Sequence, residues 1–197
     1  MEAFLMAEQS VELEALLQEI EKAIDAKLYY LAIAVALSVP DVCSGLESDP
    51  ENPKWQNQKT YAAWCDSNIG TKFNNLVGND LYRLRGGVLH KGHFDHPKSQ
   101  FNRVIFIGPE SQIVAHDKII TVNEGVKLGG QDVAQLRLQG KVLLLGVVPF
   151  CEAISTSARE WYCAHAANEH VQKNIGRLVR FRPDGMPPFS VGIPTIA

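Results

Sequence analysis

One stretch constrains the fold of this 197-residue chain more than any other. Leu13, Leu16, Leu17, Ile20, Ile24, Leu28, Leu31 and Val35 recur at steps of three and four, the spacing that lines up side chains along one face of an α-helix. From Leu28 to Val39 the chain carries no charge at all, so the second half of this pattern is apolar all round. A helix of that kind belongs in the middle of a bundle, covered on every side. The uncharged run is also too short for a bilayer span, which needs about 20 apolar residues. Ser10 is placed to cap the start, with Glu12 and Glu14 in the first turn where the helix dipole favours acids. Pro40-Asp41 is expected to end the long helix and to begin a short second one through Leu46.

The same reasoning extends along the chain. Residues 47–58 are polar and carry Pro50 and Pro53, as a surface loop would. Lys59 to Ile69 reads as helix, stopped by Gly70. Asn79 or Asp80 is expected to cap a further helix with Leu81, Leu84 and Val88 on one stripe, closed by Gly92. After Pro97 the period changes. Arg103 to Ile107 reads as a strand, Gly108-Pro109-Glu110-Ser111 as a turn, Gln112 to Val122 as the returning strand, and Lys141 to Val148 as another. Glu152 to Ala167 and Glu169 to Arg180 return to helix. The last segment, with Pro183, Pro187, Pro188 and Pro194, reads as irregular. The fold expected is therefore mainly α. It is a helical bundle in one domain, 1–197, with a helical core over about 10–92 and 150–182 and a small antiparallel β element inserted over about 101–148.

Composition narrows the function classes. With 19 basic and 22 acidic residues the chain has a formal charge of -3, which gives no bulk electrostatic attraction for nucleic acid and leaves only a local basic patch for that purpose. A chain of this length buries roughly 70% of its unfolded surface, so neither metal nor disulfide is needed to hold a core. Cys43, Cys65, Cys151 and Cys163 form no C-x-x-C pair and read as reduced thiols in a cytoplasm. The first eight residues hold Glu2 and Glu8 and no base, unlike the start of a secretory signal. The sequence holds no G-x-x-x-x-G-K-[ST] phosphate loop, no G-x-G-x-x-G, no G-x-S-x-G and no H-E-x-x-H.

Chemistry concentrates in Leu81-Tyr82-Arg83-Leu84-Arg85-Gly86-Gly87-Val88-Leu89-His90-Lys91-Gly92. At about 100° per residue, Leu81, Leu84 and Val88 share a stripe of about 60°, and His90 lies nearly opposite. Arg83 falls within about 20° of His90, two turns back, whereas Arg85 lies about 140° from it, flanking the apolar stripe. The core therefore needs none of these three polar residues. Arginine offers a fixed, charged fork for phosphate oxygens, and histidine exchanges a proton near neutrality.

Arg85 to His90 fits R-x4-H and Arg83 to His90 fits R-x6-H. Both resemble the R-x4-6-H signature of the HEPN superfamily, helical-bundle domains found in bacterial toxins and defence proteins. The local text also resembles that of a group of bacterial proteins with Tyr-Arg-x-Arg-x-x-Leu-Leu-His-x-Gly. Similar pieces are residues 38–43, 59–64, 96–98 and 172–174, so the likeness spans about Tyr29 to Arg182. The resemblance implies a homodimer, with the two motifs facing one another, that cleaves RNA without metal or cofactor. His90 would move the proton of the ribose 2′-hydroxyl or of the leaving 5′-oxygen, and Arg85, or Arg83 instead, would stabilise charge on the phosphorus oxygens. A protein inhibitor of the antitoxin kind is a further implied partner. Gly86-Gly87 departs from the pattern, because many HEPN nucleases carry a polar residue directly after the arginine.

Plainer readings stand beside these. The arginines could pair with acids such as Asp80, which would leave a non-catalytic interaction module. His90, His93, Asp95 and His96 have metal-ligand chemistry, but the helix break at Gly92 disfavours a site, and no metal is expected. Lys173, Arg177, Arg180 and Arg182 form a basic stretch suited to an RNA-binding edge, carried by the first three, or to solvated helix surface.

Overall fold

A computed structural model describes residues 9–53, 57–94, 98–112, 115–123, 127–128, 131–132 and 140–197. The described residues form six helices and several short strands, so the molecule is mainly α as expected. The long N-terminal helix is two. α1 (Val11–Asp25) and α2 (Tyr29–Leu46) are separated by a turn in which Lys27 has φ 60. The apolar spacing continues unbroken through that turn and so conceals the reversal: α1 buries Leu13, Leu17 and Ile20, whereas Leu28 and Leu31 of the same ladder are exposed and α2 buries Ala32, Ile33, Ala36 and Leu37 instead. Ser10 caps α1 as predicted, accepting a hydrogen bond from the Leu13 N–H at 3.1 Å.

α2 also runs straight through Pro40, against the expectation that it would end there. A proline inside a helix leaves the carbonyl four residues earlier without its N–H partner and pushes against that turn. Here Pro40 is buried, and the neighbouring carbonyl of Leu37 accepts the hydroxyl of fully buried Tyr61 at 2.9 Å. Tertiary packing thus overrides the local preference. Alone among the described helices, α2 is long and apolar enough to cross a bilayer. In this fold it lies against α1, α3 (Gln58–Asn68), α4 (Gly78–Lys91), α5 (Val147–His165) and α6 (Glu169–Ile175).

The β element is mixed, not antiparallel. β1 (Arg103–Ile107), β2 (Lys118–Val122) and β5 (Gly140–Gly146) form one sheet in the order β1-β5-β2, with β3 (Lys127–Leu128) and β4 (Gln131–Asp132) as a separate pair. β1 runs parallel to β5, Arg103 beside Val142 and Ile107 beside Gly146, while β2 runs antiparallel along the other edge of β5. The expected hairpin of β1 with β2 is therefore replaced by β5 inserted between them. The apolar content explains the order. Val142, Leu143 and Leu145 are buried, whereas four of the five residues of β2 are exposed and suit an edge.

β5 passes directly into α5 (Val147–His165), which begins five residues earlier than the sequence suggested. Val147, Val148 and Pro149 look like strand or loop, but proline is tolerated in a first helical turn, where its missing N–H would have no partner anyway. α6 covers only Glu169–Ile175, so Arg177 and Arg180 lie beyond it rather than on it. The proline-rich end is not wholly irregular: β6 (Phe181–Arg182) pairs with β9 (Thr195–Ile196), and β7 (Gly185–Met186) with β8 (Ser190–Val191). Bundle and sheet share one core. Phe106 meets Phe150 edge-on at 5.0 Å, and Trp64 meets Trp161 at 6.2 Å.

α3 and α4 (Gly78–Lys91) approach so closely that only glycine fits at their crossing. A methyl group at position 78 would sink into the Ala62 carbonyl. The sequence expects Asn79 or Asp80 to cap α4, but neither does. Val77 holds the N-cap position without a side-chain bond, and Asp66 of α3 accepts the Gly78 N–H at 2.6 Å instead. Gly78→Ala is expected to destabilise the protein by about 1–3 kcal/mol through forced separation of the two helices. Urea denaturation measures this, and an unchanged midpoint would contradict the packing described.

Candidate functional site

α4 places its residues as helical geometry demands. Leu81, Leu84 and Val88 are buried, and Gly92 ends the helix with φ 67. The Gly87 carbonyl accepts from Gly92 and from His93, the latter at 3.2 Å. The Val88 carbonyl, one of the last four that have no partner within the helix, accepts the Tyr30 hydroxyl at 2.7 Å. His90 is exposed on this last turn, and among the described residues no hydrogen bond or ion pair holds its imidazole. Gly86 faces open space, so packing within the chain does not require glycine there.

The two arginines are engaged elsewhere. Arg85 pairs through Nε with Oδ2 of Asp41 on α2. Its guanidinium also lies over two aromatic rings, 5.7 Å from the centre of Tyr61 and 5.8 Å from that of Tyr82. The rings meet one another edge-on at 5.6 Å. Three helices therefore fix this one cation, which remains 22% exposed along its side chain. Arg83 pairs with Asp80 at 3.3 Å, and Asp80, almost fully buried, also accepts from Gln100 at 2.6 Å. No bond joins either arginine to His90. The structure thus separates the three predicted residues into a fixed cation on the α2 side, an ion pair one turn into α4 and a free imidazole at its end.

Asp41, Tyr61 and Tyr82 complete the cluster, and sequence reasoning gave them no role in it. The signal was present: Asp41 is the single Asp, Glu, Lys or Arg in α2, and a lone charge on an apolar helix requires a partner. Burial raises the Asp41 carboxyl above its ordinary value, and the adjacent Arg85 opposes that shift without cancelling it. Burial likewise holds the Tyr61 phenol protonated far beyond neutrality.

The predicted basic edge is spread over several surfaces. Lys173 pairs with Glu169, Arg177 donates to Asn174 Oδ1 at 3.3 Å, and Arg180 pairs with Glu12 of α1 at 3.5 Å. His93 is exposed, while Asp95 and His96 lie outside the described residues. Among the described residues, no group of three or more His, Cys, Asp or Glu side chains is arranged to hold a metal ion. A cleft of about 420 Å³ opens between α2, α3 and α5. There Trp161 Nε1–H donates to Glu47 at 2.7 Å, and His165 Nδ1–H donates to the Trp161 carbonyl at 2.8 Å.

The Asp41 cluster has a measurable signature. Its carboxyl should titrate above the ordinary 3.8, and Arg85→Met should move it higher still. The folded state then holds this proton more tightly than the unfolded chain. The group's contribution to stability therefore falls as pH rises from 3.8 through its folded value. Carboxyl-carbon NMR reads this directly, and titration at or below the ordinary value would contradict the assignment. No protein-family model, no curated protein and no solved structure matches this chain.

Proposed function

We propose that this chain is a HEPN-like, metal-independent endoribonuclease that acts as a homodimer, with His90 as its proton-transfer group. The observation that carries the reading is the pairing of a solvent-open imidazole with a guanidinium clamped from three helices, five residues earlier on one helix. The Arg85–Asp41 contact uses Nε, so the terminal N–H groups are left to meet phosphate oxygens. A pre-positioned cation of that kind stabilises developing charge without reorganising. His90 accepts the 2′-hydroxyl proton as the 2′-oxygen attacks phosphorus, or protonates the departing 5′-oxygen. The products are a 2′,3′-cyclic phosphate and a free 5′-hydroxyl. Because Arg85 and His90 point apart on their own helix, the reading places the imidazole of one copy against the guanidinium of the other. Exposed Leu28, Leu31 and Leu89 offer an apolar margin for that association, and a protein inhibitor would cover the same face.

One observation favours a non-catalytic interaction module instead: both arginines are held by carboxylates of their own chain. The two readings part in a cleavage assay. Purified protein with added chelator is expected to cut RNA to cyclic-phosphate ends, and His90→Ala to lower the rate by about 10²–10⁴. Exposed His90 contributes nothing to the core, so the variant keeps its melting temperature. Absence of cleavage by the wild type, or undiminished cleavage by His90→Ala, would overturn the nuclease reading. Arg85→Met does not serve as the test, because it also removes a structural pair.

A further inference from the structure

The cleft between α2, α3 and α5 is lined by the ends of helices. Glu47 is the C-cap of α2, Ser67 and Asn68 are the last two residues of α3, and Trp161 and His165 stand on the last turns of α5. Helix C-termini carry the negative end of the macrodipole and favour lysine or arginine nearby. None of these three last turns holds either residue. Among the described residues that line the cleft, Glu47 is the single Asp, Glu, Lys or Arg. The site is therefore electronegative, and its volume of about 420 Å³ suits a small molecule. Two acceptors meet there without a donor between them. His165 gives its Nδ1–H to the Trp161 carbonyl at 2.8 Å, so in the neutral ring Nε2 carries a lone pair. That nitrogen lies 3.8 Å from Oε1 of Glu47, and both side chains are about two-fifths exposed, at 40% and 41%. Oε1 already accepts the Trp161 N–H at 2.7 Å, while among the described residues nothing bonds Oε2. A donor is also unpaired. Trp64 lines the same cleft and is 5% exposed, and its indole N–H has no partner among the described residues. Asn68 spends its side-chain NH2 on the Trp64 carbonyl at 2.8 Å, which leaves its amide oxygen open.

We infer that this cleft binds a small hydroxylated amine in its ammonium form. The ammonium N–H groups bridge the Glu47 carboxylate and His165 Nε2, two acceptors set close enough to share one cation. The hydroxyl end lies toward α3. Its oxygen supplies the acceptor that the Trp64 N–H lacks, and its proton goes to the Asn68 amide oxygen. Pairing a buried donor recovers free energy that the empty site forgoes. Other occupants fit less well. A phosphate is repelled by the acid and by the helix ends. Among the described residues no three His, Cys, Asp or Glu side chains converge to hold a metal ion. A neutral polyol leaves the Glu47 charge without a counter-ion. No residue of α4 lines the cleft, so the site is separate from the groups invoked for RNA cleavage and does not rest on that reading.

Isothermal titration calorimetry of the full chain with ethanolamine and with glucosamine tests this. Both amines are expected to bind. Ethylene glycol and glucose, which carry a hydroxyl in place of the ammonium, should bind at least tenfold more weakly. Glu47→Gln keeps an acceptor for the Trp161 N–H and should weaken amine binding at least tenfold, with the melting temperature as the check on folding. Ser67→Lys, at an exposed position, places an ammonium of the chain's own in the cleft and should abolish binding, which keeps the test valid if Glu47→Gln does not fold. In NMR spectra the amines should move the Trp64 indole N–H proton downfield, a signal assigned by its absence in Trp64→Phe. Failure of both amines to bind at millimolar concentration would overturn the inference. So would equal binding of glucose and glucosamine, an unmoved Trp64 signal on binding, or full affinity in folded Glu47→Gln or Ser67→Lys. His90→Ala should bind the amines as the wild type does. Loss of binding in that variant would place the amine at α4 and overturn the inference, while loss of cleavage with binding retained bears on the nuclease reading alone.

Discussion

The bundle depends on how one charge is accommodated on an otherwise apolar helix. α2 is covered by five other helices, and among its eighteen residues Asp41 is the single Asp, Glu, Lys or Arg. A carboxylate in that position costs free energy unless a cation meets it. Arg85 meets it, with its guanidinium over the rings of Tyr61 and Tyr82. Together with the apolar stripe of α4, that arrangement fixes the rotation of α4 against α2 and α3. The rotation buries Leu81, Leu84 and Val88 and sends His90 into solvent. The Asp41–Arg85 pair and the buried stripe of α4 together leave the candidate catalytic imidazole in solvent.

The same arrangement gives the site its double character. A guanidinium that is needed to neutralise Asp41 is also rigid, and rigidity is what electrostatic catalysis asks of a cation. Structural and chemical roles are therefore not exclusive for Arg85, although they compete for its hydrogen bonds. Arg83 is the weaker candidate, because its partner Asp80 is almost fully buried and is anchored again by Gln100. His90 carries no structural duty, which leaves it the cleaner probe of chemistry.

Side-chain periodicity made the α4 stripe, the α1 cap and the closing Gly92 legible in the sequence. What stayed hidden was set by tertiary contact. The apolar ladder from Leu13 to Val35 runs across the reversal at Lys27, although Leu28 and Leu31 in its second half stay exposed. Pro40 sits buried inside a helix that is packed against five others. β1 and β2 look like a hairpin until the more apolar β5 takes the central place. Sequence could place Arg85 and His90 on one helix at a stated angle. It could not say that Asp41, forty-four positions away, would claim the arginine, although an isolated acid in an apolar run was a visible reason to look for such a partner.

A double-mutant cycle on Arg85→Met and Asp41→Asn, followed by urea denaturation, tests this account most directly. The pair is mostly buried, so the account predicts a coupling energy of about 1–3 kcal/mol, with each single change destabilising and the second costing little once the first is made. Additive effects within about 0.3 kcal/mol would show that the two charges do not hold α4 in place, and the orientation of His90 would then need another cause.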